Sequence, residues 1–107
     1  MTRTLNPFTF STSIQGVQVK PLKQDGKEIT VRYNGLLNQN GARQVWLHGG
    51  FGEEGDWREV KDYLMEETDE GWEQSVDVKD KQLNFCFRDD AHNWDNNNGV
   101  NWIYRIT

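Results

Sequence analysis

Two polar stretches of the sequence combine a tryptophan with many hydrogen-bonding side chains. The first runs from His48 to Trp57 and the second from Arg88 to Gly99, with Trp94 in its middle. A flat indole packs against apolar ring faces, while amide and imidazole groups hydrogen-bond to a polar rim. A sugar ring presents both kinds of surface. The two stretches therefore favour a sugar site with Trp57 and Trp94 as platforms and His48 as a hydrogen-bonding group.

Each of these candidates also has a purely structural interpretation. A tryptophan in a loop can cover the core, and the Asn-Asn-Asn-Gly run that ends at Gly99 is a common turn sequence. A histidine before Gly-Gly, such as His48, often closes a strand. The chain has five Trp, three Tyr and five Phe, and the other aromatic residues suffice to fill a small core. The two interpretations of Trp57 and Trp94 therefore have equal weight on residue types alone.

The same stretches contain enough carboxylates for an acid and base pair. These are Glu53, Glu54 and Asp56 in the first stretch and Asp89, Asp90 and Asp95 in the second. Acidic clusters in an acidic protein are usually solvated surface, and glycoside hydrolysis needs two carboxyl groups at a defined separation. A nucleophilic Cys86 with a histidine base is disfavoured because Cys86 lies mid-strand. The sequence predicts no catalytic residue.

The oxygen-rich run from Asp89 to Asn97 leaves calcium as an alternative ligand. Its spacing differs from the 12-residue EF-hand loop, which requires Gly at the sixth position and Glu at the twelfth. We therefore expect neither a metal nor another cofactor.

Length and charge limit the remaining classes of partner. The chain has 107 residues and a formal net charge of -5, so nucleic acid and anionic membranes are disfavoured. No apolar run approaches the roughly 20 residues that span a bilayer. A lone cysteine excludes an internal disulfide. We expect one monomeric domain over residues 1–107, with residues 1–13 as a loose lead-in.

Period-two alternation of apolar residues dominates the chain and predicts strands. The predicted strands contain Val17 and Val19; Ile29, Val31 and Tyr33; Val45 and Leu47, ending at Gly49–Gly50; Trp72, Val76 and Val78; Leu83, Phe85 and Phe87; and Val100 to Ile106. The segment from Trp57 to Glu67 fits both helical and strand spacing, and we interpret it as strand. This pattern predicts an all-β fold, an antiparallel β-sandwich of immunoglobulin-like type.

Several motifs resemble the starch-binding modules of carbohydrate-binding module family 25 and the related family 53. They are Val31–Asn34, Val45–Gly50, Trp57, Met65, Trp72, Leu83–Asp89 and Trp94–Gly99. The resemblance implies a β-sandwich that binds α-1,4-linked glucan without catalysis, through His48, Trp57 and Trp94. It also implies that Asn96 and Asn97 hydrogen-bond to sugar hydroxyls.

The resemblance further implies α-glucan polysaccharides or malto-oligosaccharides as ligands and an amylase or other glucan-metabolising enzyme as partner. Starch, glycogen and other α-glucans fit equally well. A cytoplasmic location is expected if the chain is full-length, and an extracellular one if it is an excised module. The stretch between Gly50 and Trp57 is longer and more acidic than in the family. The alternative function is protein–protein interaction, with the loop tryptophans as interface anchors.

Overall fold

The computed structural model describes residues 9–106, which form nine strands and one short helix. The elements are β1 (Val17–Pro21), β2 (Glu28–Tyr33), α1 (Leu36–Gln39), β3 (Val45–Glu53), β4 (Asp56–Leu64), β5 (Glu66–Thr68), β6 (Gly71–Asp77), β7 (Gln82–Asp89), β8 (Trp94–Asp95) and β9 (Trp102–Arg105). Residues 1–8 of the expected lead-in lie outside the described residues. No helix in the described part is long and apolar enough to cross a membrane.

The strands form two antiparallel sheets. The first sheet has the order β1-β2-β6-β5, and the second has the order β4-β3-β7-β8, with β9 also paired to β7. This arrangement confirms the predicted all-β antiparallel sandwich. Sheet order brings β3 and β7 to the middle of the second sheet, and their outward faces lie between β4 and β8.

Alternate residues of both sheets fill a common core. Tyr33 of the first sheet stacks on Phe87 of the second, with ring centroids 4.1 Å apart, and Phe85 stacks on Trp102 at 6.4 Å. Burying each such side chain contributes about 1.5–3 kcal/mol. The core therefore uses one face of each strand and leaves the other face of the second sheet for a different role.

The hairpin of β3 and β4 corrects the prediction for the first polar stretch. Strand β3 was expected to end at Gly49–Gly50, but it continues to Glu53. Its last residues pair with the start of β4, because Glu53 lies opposite Asp56 and Gly52 opposite Trp57. Most of the expected loop is therefore regular hairpin, and only a two-residue turn joins the strands.

A β-bulge interrupts this hairpin. Between the pairs Gly49–Lys61 and Phe51–Arg58, β3 has one residue and β4 has two. Glu59, one of the two, has a φ of 52°. The extra residue changes the parity of β4, so that Trp57 shares one face with Val60, Asp62 and Leu64. This change of face explains why the segment from Trp57 to Glu67 fits both helical and strand spacing.

The C-terminal part also differs from the prediction. The expected strand from Val100 to Ile106 is shorter and comprises only β9. Two short strands, β8 and β9, pair with different halves of β7. The backbone between them includes Asn97, Asn98 and Asn101 at positive φ, which regular strand pairing does not accommodate. Helix α1 has no counterpart among the predicted elements.

Candidate functional site

The first polar stretch places His48 on the outer face of the second sheet. Its neighbour Leu47 is fully buried in the core, so alternation along β3 directs His48 away from the core. Two positions later, Gly50 lies beneath Trp57. A Cβ atom at Gly50 would be 2.9 Å from Trp57 Cβ and 3.1 Å from Val60 Cγ2. The missing side chain at Gly50 therefore lets the Trp57 indole lie against the backbone of β3.

The rings of His48, Trp57 and Trp94 form what we call the ring cluster. The His48 centroid is 5.9 Å from that of Trp57, with planes inclined by 35°, and 5.3 Å from that of Trp94, with planes inclined by 87°. The two indole planes are therefore steeply inclined to each other. Trp94 retains 48% of its accessible surface. The cluster is an open, folded aromatic surface with an imidazole between two indoles.

Asp62 fixes the orientation of the His48 ring. The Nδ1 atom of His48 lies 2.7 Å from Oδ1 of Asp62, its partner across β3 and β4. Because an ionised carboxylate only accepts hydrogen bonds, Nδ1 is the donor. The Nε2 atom of His48 is then the ring nitrogen left for a ligand. No motif in the sequence pointed to Asp62.

A hydrogen bond also orients Trp57. Its Nε1 group donates to the backbone oxygen of Glu54, at 2.8 Å, and so ties the indole to the hairpin turn. The indole edge is occupied by this bond, and its ring face is the surface that it can offer to a ligand.

Arg88 lies beside Trp94, opposite it in the pairing of β7 and β8. Backbone pairing aligns Trp46, Arg88 and Trp94 across β3, β7 and β8. The Arg88 guanidinium lies 4.4 Å from the Trp46 ring centroid and 5.9 Å from that of Trp94. Both distances fall within the range of a cation–π interaction. No sequence motif predicted this row of three side chains, although Trp46 lies two residues before His48 and therefore shares its face.

Asp95 anchors the strand that carries Trp94. Its Oδ2 atom accepts a 2.6 Å hydrogen bond from the Tyr33 hydroxyl, which in turn accepts one from the backbone N–H of Leu37. Burial, with a further contribution from the bond to Asp95, raises the pKa of Tyr33 above its ordinary value. The Tyr33 hydroxyl therefore stays protonated, and Asp95 is held as its acceptor.

The two predicted asparagines belong to the loop rather than to the ring cluster. Asn96 is exposed, and its Oδ1 accepts a hydrogen bond from the Gly99 N–H at 2.9 Å. Asn97 donates through Nδ2 to the backbone oxygen of Asn101 at 3.1 Å. Both side chains stabilise the turn between β8 and β9, and their contact with a ligand stays a prediction.

The carboxylates of the second stretch have separate structural partners. Asp89 accepts hydrogen bonds from the N–H groups of Ala91 and Asn93 and from the Asn93 side chain. Burial alone would raise the pKa of Asp89, but these bonds outweigh it and lower that pKa. Asp90 instead accepts from the N–H groups of Arg43 and Gln44. Over residues 9–106, no three acidic, histidine or cysteine side chains are grouped as metal ligands.

Cys86 lies under the ring cluster, opposite His48 in the pairing of β3 and β7. Burial, aided by the negative charges of Asp62 and Asp95, raises the pKa of the Cys86 thiol to about 11. A protonated, buried thiol is a poor nucleophile.

The chain belongs to family 53 of the starch- and carbohydrate-binding modules, since the model of that family matches residues 29–85, just over half of the chain. The family consists of non-catalytic binding modules. The matched range contains His48 and Trp57 and ends before Trp94.

An α-amylase from Clostridium acetobutylicum is 29% identical to the chain over 106 residues. The match covers 95% of the chain but only 14% of the amylase, so the chain spans about one seventh of that relative. No solved structure is a significant match.

Proposed function

We propose that this module binds α-1,4-linked glucans, such as starch, glycogen and malto-oligosaccharides, on the ring cluster. The observation that carries the proposal is the position of His48 between two indoles, 5.9 Å from one and 5.3 Å from the other, on the outer face of a sheet. Membership of a starch-binding family supports this ligand class. The ring cluster is the part of the site that supplies stacking surface.

In this proposal, Trp57 and Trp94 pack against the apolar faces of two glucose units. Their steep inclination suits a chain that curves between the two units, as α-1,4-linked glucose does, whereas a flat β-1,4-linked chain suits coplanar rings. His48 Nε2 lies toward the ligand and hydrogen-bonds to a hydroxyl. A hydroxyl both donates and accepts, so this bond is compatible with either protonation state of the imidazole.

Asn96 adds a second polar contact in this proposal. Its Oδ1 is used by Gly99, but among the described residues its Nδ2 has no hydrogen-bond partner. That group is free to donate to a sugar hydroxyl. Asn97 contributes by holding the loop, since its Nδ2 is engaged by Asn101.

The similarity to a segment of an α-amylase suggests a biological context. We propose that the module acts beside a glucan-metabolising enzyme and holds that enzyme on its polysaccharide. A module that contributes only binding would raise the local substrate concentration without changing the chemical step.

Affinity electrophoresis in gels with and without amylopectin tests the proposal. We expect amylopectin to retard the protein, and Trp94→Ala to abolish most of the retardation. Loss of a stacked, partly buried indole is worth roughly 1.5–3 kcal/mol, or at least about tenfold in Kd. Because Trp94 is 48% exposed, the variant should keep its fold, as checked by circular dichroism and thermal melting.

Leu64→Ala is a matched control, because Leu64 lies in β4 on the same face and is 53% exposed. We expect it to bind like the unmodified protein. Unchanged retardation of folded Trp94→Ala would contradict the role of the ring cluster. No retardation of the unmodified protein by amylopectin or glycogen would favour the protein-association alternative.

A further inference from the structure

We propose that the module has a second saccharide site, a pocket at the end of the sandwich that is distinct from the ring cluster. The pocket has a volume of about 400 Å³ and lies between the segment before β1, helix α1 and the loop after β8. We call it the amide pocket, because side-chain amides dominate its lining. They are those of Gln15, Asn34, Gln39, Asn97 and Asn98.

Most of these amides are available to a ligand. Among residues 9–106, the side-chain amides of Gln15, Asn34, Gln39 and Asn98 make no hydrogen bond within the protein. Each carboxamide presents two N–H donors and one oxygen acceptor in a single plane. Adjacent hydroxyls of a sugar present the same alternation of donor and acceptor. Several free carboxamides around one cavity therefore match a polyhydroxylated ligand.

The charge of the pocket favours a neutral ligand. Asp95 is the ionisable side chain of the described lining, and both of its oxygens are already used. Oδ2 accepts from the Tyr33 hydroxyl, and Oδ1 accepts from the Asn97 N–H at 3.2 Å. The described lining has no cationic side chain that could hold a phosphate, and the buried Asp95 carboxylate is already held by these two donors. A saccharide meets this requirement.

The backbone around the pocket is held in an unusual conformation. Gln15, Asn97 and Asn98 have φ values of 51°, 56° and 57°, in the left-handed region that non-glycine residues seldom adopt. A Cβ atom at Gly16 would lie 2.7 Å from the backbone oxygen of Asn34, so the wall there is closely packed. The amides are thus presented from a fixed backbone.

The amide pocket and the ring cluster are on opposite faces of β8. Trp94 pairs with Arg88 and joins the outer face, whereas Asp95 pairs with Phe87 and is buried toward Tyr33. The described lining contains no aromatic ring, and Leu36, 52% exposed, supplies its largest apolar side chain. We therefore assign to this pocket one or two sugar units bound by hydrogen bonds, more weakly than units stacked on the ring cluster.

Nuclear magnetic resonance of ¹⁵N-labelled protein separates the two sites. Maltotriose is titrated into the unmodified protein and into Trp57→Ala. This variant removes one ring of the ring cluster, in a strand that does not line the amide pocket. We expect the side-chain NH₂ signals of Asn34, Gln39 and Asn98 to shift in both proteins. The indole signal of Trp94 should shift strongly only in the unmodified protein.

Asn98→Gly then tests the amide itself, because glycine keeps the positive φ without the side chain. We expect the Kd read from the Asn34 NH₂ signal to rise roughly three- to tenfold, as for the loss of one hydrogen bond, with the Trp94 response unchanged. Amide signals that do not shift, or that lose their shifts in Trp57→Ala, would overturn the second site. Amide shifts without any Trp94 response would instead contradict the proposed ring-cluster function.

Discussion

At the scale of single residues, the ring cluster depends on Asp62, which holds His48 at 2.7 Å. Without that acceptor, the imidazole is free to turn about its side-chain torsions, and its Nε2 no longer has one direction. The two side chains are 28% and 45% exposed, so solvent screens the pair and its contribution to folding is small, about 0–1 kcal/mol. Its contribution to binding is the preorganisation of His48.

We expect Asp62→Ala to weaken maltoheptaose binding several-fold, with less than about 1 kcal/mol change in unfolding free energy. Isothermal titration calorimetry and urea denaturation measure the two quantities. Asp62→Asn keeps an acceptor oxygen and should retain most of the affinity. Asp56→Ala, an equal charge change at an exposed position of the same strand, should have no effect. Equal weakening by Asp56→Ala would mean that charge, rather than His48 orientation, matters.

The residue types alone singled out the three rings of the ring cluster, but they did not single out the residues that support those rings. A histidine and two tryptophans in polar stretches stand out because large rings are usually buried in the core. Asp62 has no such signal, because it is one of many carboxylates in an acidic chain. Asn97 was expected to hydrogen-bond to sugar hydroxyls, which stays a prediction, and its side chain closes its own loop and lines the amide pocket. Only the path of that loop determines which way the amide points.

At the scale of elements, the bulge in β4 determines which side chains meet. If the strand pairing next to the turn continued without a bulge, Lys61 would lie opposite His48. The bulge shifts the register by one residue and places Asp62 there. Period-two alternation predicted the strands because buried and exposed residues alternate along them. It could not predict the bulge, because the extra residue is a glutamate with no turn signature. The sequence therefore shows that β4 exists but not its register.

Glu59→Gly should stabilise the protein by about 1 kcal/mol, because Glu59 adopts a left-handed φ of 52° that glycine adopts without steric cost. Glucan binding should be unchanged, since the bulge is kept. Urea denaturation gives the stability change. Glu53→Gly makes the same replacement in extended β3 and should destabilise by roughly 0.5–1 kcal/mol. A destabilised Glu59→Gly would show that the glutamate side chain outweighs the backbone strain.

The turn between β7 and β8 should be sensitive to acid. Asp89 has a lowered pKa in the folded protein, so it stabilises the fold above its unfolded pKa. That stability is lost as the pH falls through the folded pKa, below the ordinary range of an aspartate. Asp89→Asn removes this dependence. We expect the difference in Tm between the protein and the variant to narrow from pH 6 to pH 2, and a constant difference would contradict the assignment.

At the scale of the whole molecule, one hydrogen-bonded chain joins the two sheets. It runs from the Leu37 N–H to the Tyr33 hydroxyl in the first sheet and on to Asp95 in the second. Because Trp94 precedes Asp95 in a strand of only two residues, the first sheet helps to position a ring on the far face of the second.

Tyr33→Phe should lower the unfolding free energy by about 1–3 kcal/mol, because it leaves the Leu37 N–H and an Asp95 oxygen without their buried partner. The Tm should fall by about 4–8 °C for each kcal/mol. Tyr104→Phe removes a hydroxyl that donates to Gly26 in a half-buried setting, and its effect should be smaller. Equal Tm values for the two variants would contradict a special role for the link between the sheets.

The alternation along β3 also bears on how such a module can change over evolution. Val45 and Leu47 face the core, while Trp46 and His48 face outward, within four consecutive residues. Substitutions at the outward positions alter the surface offered to a ligand without changing the volume of the core. New ligand preferences can therefore arise by single substitutions on a scaffold whose stability is maintained by the neighbouring residues.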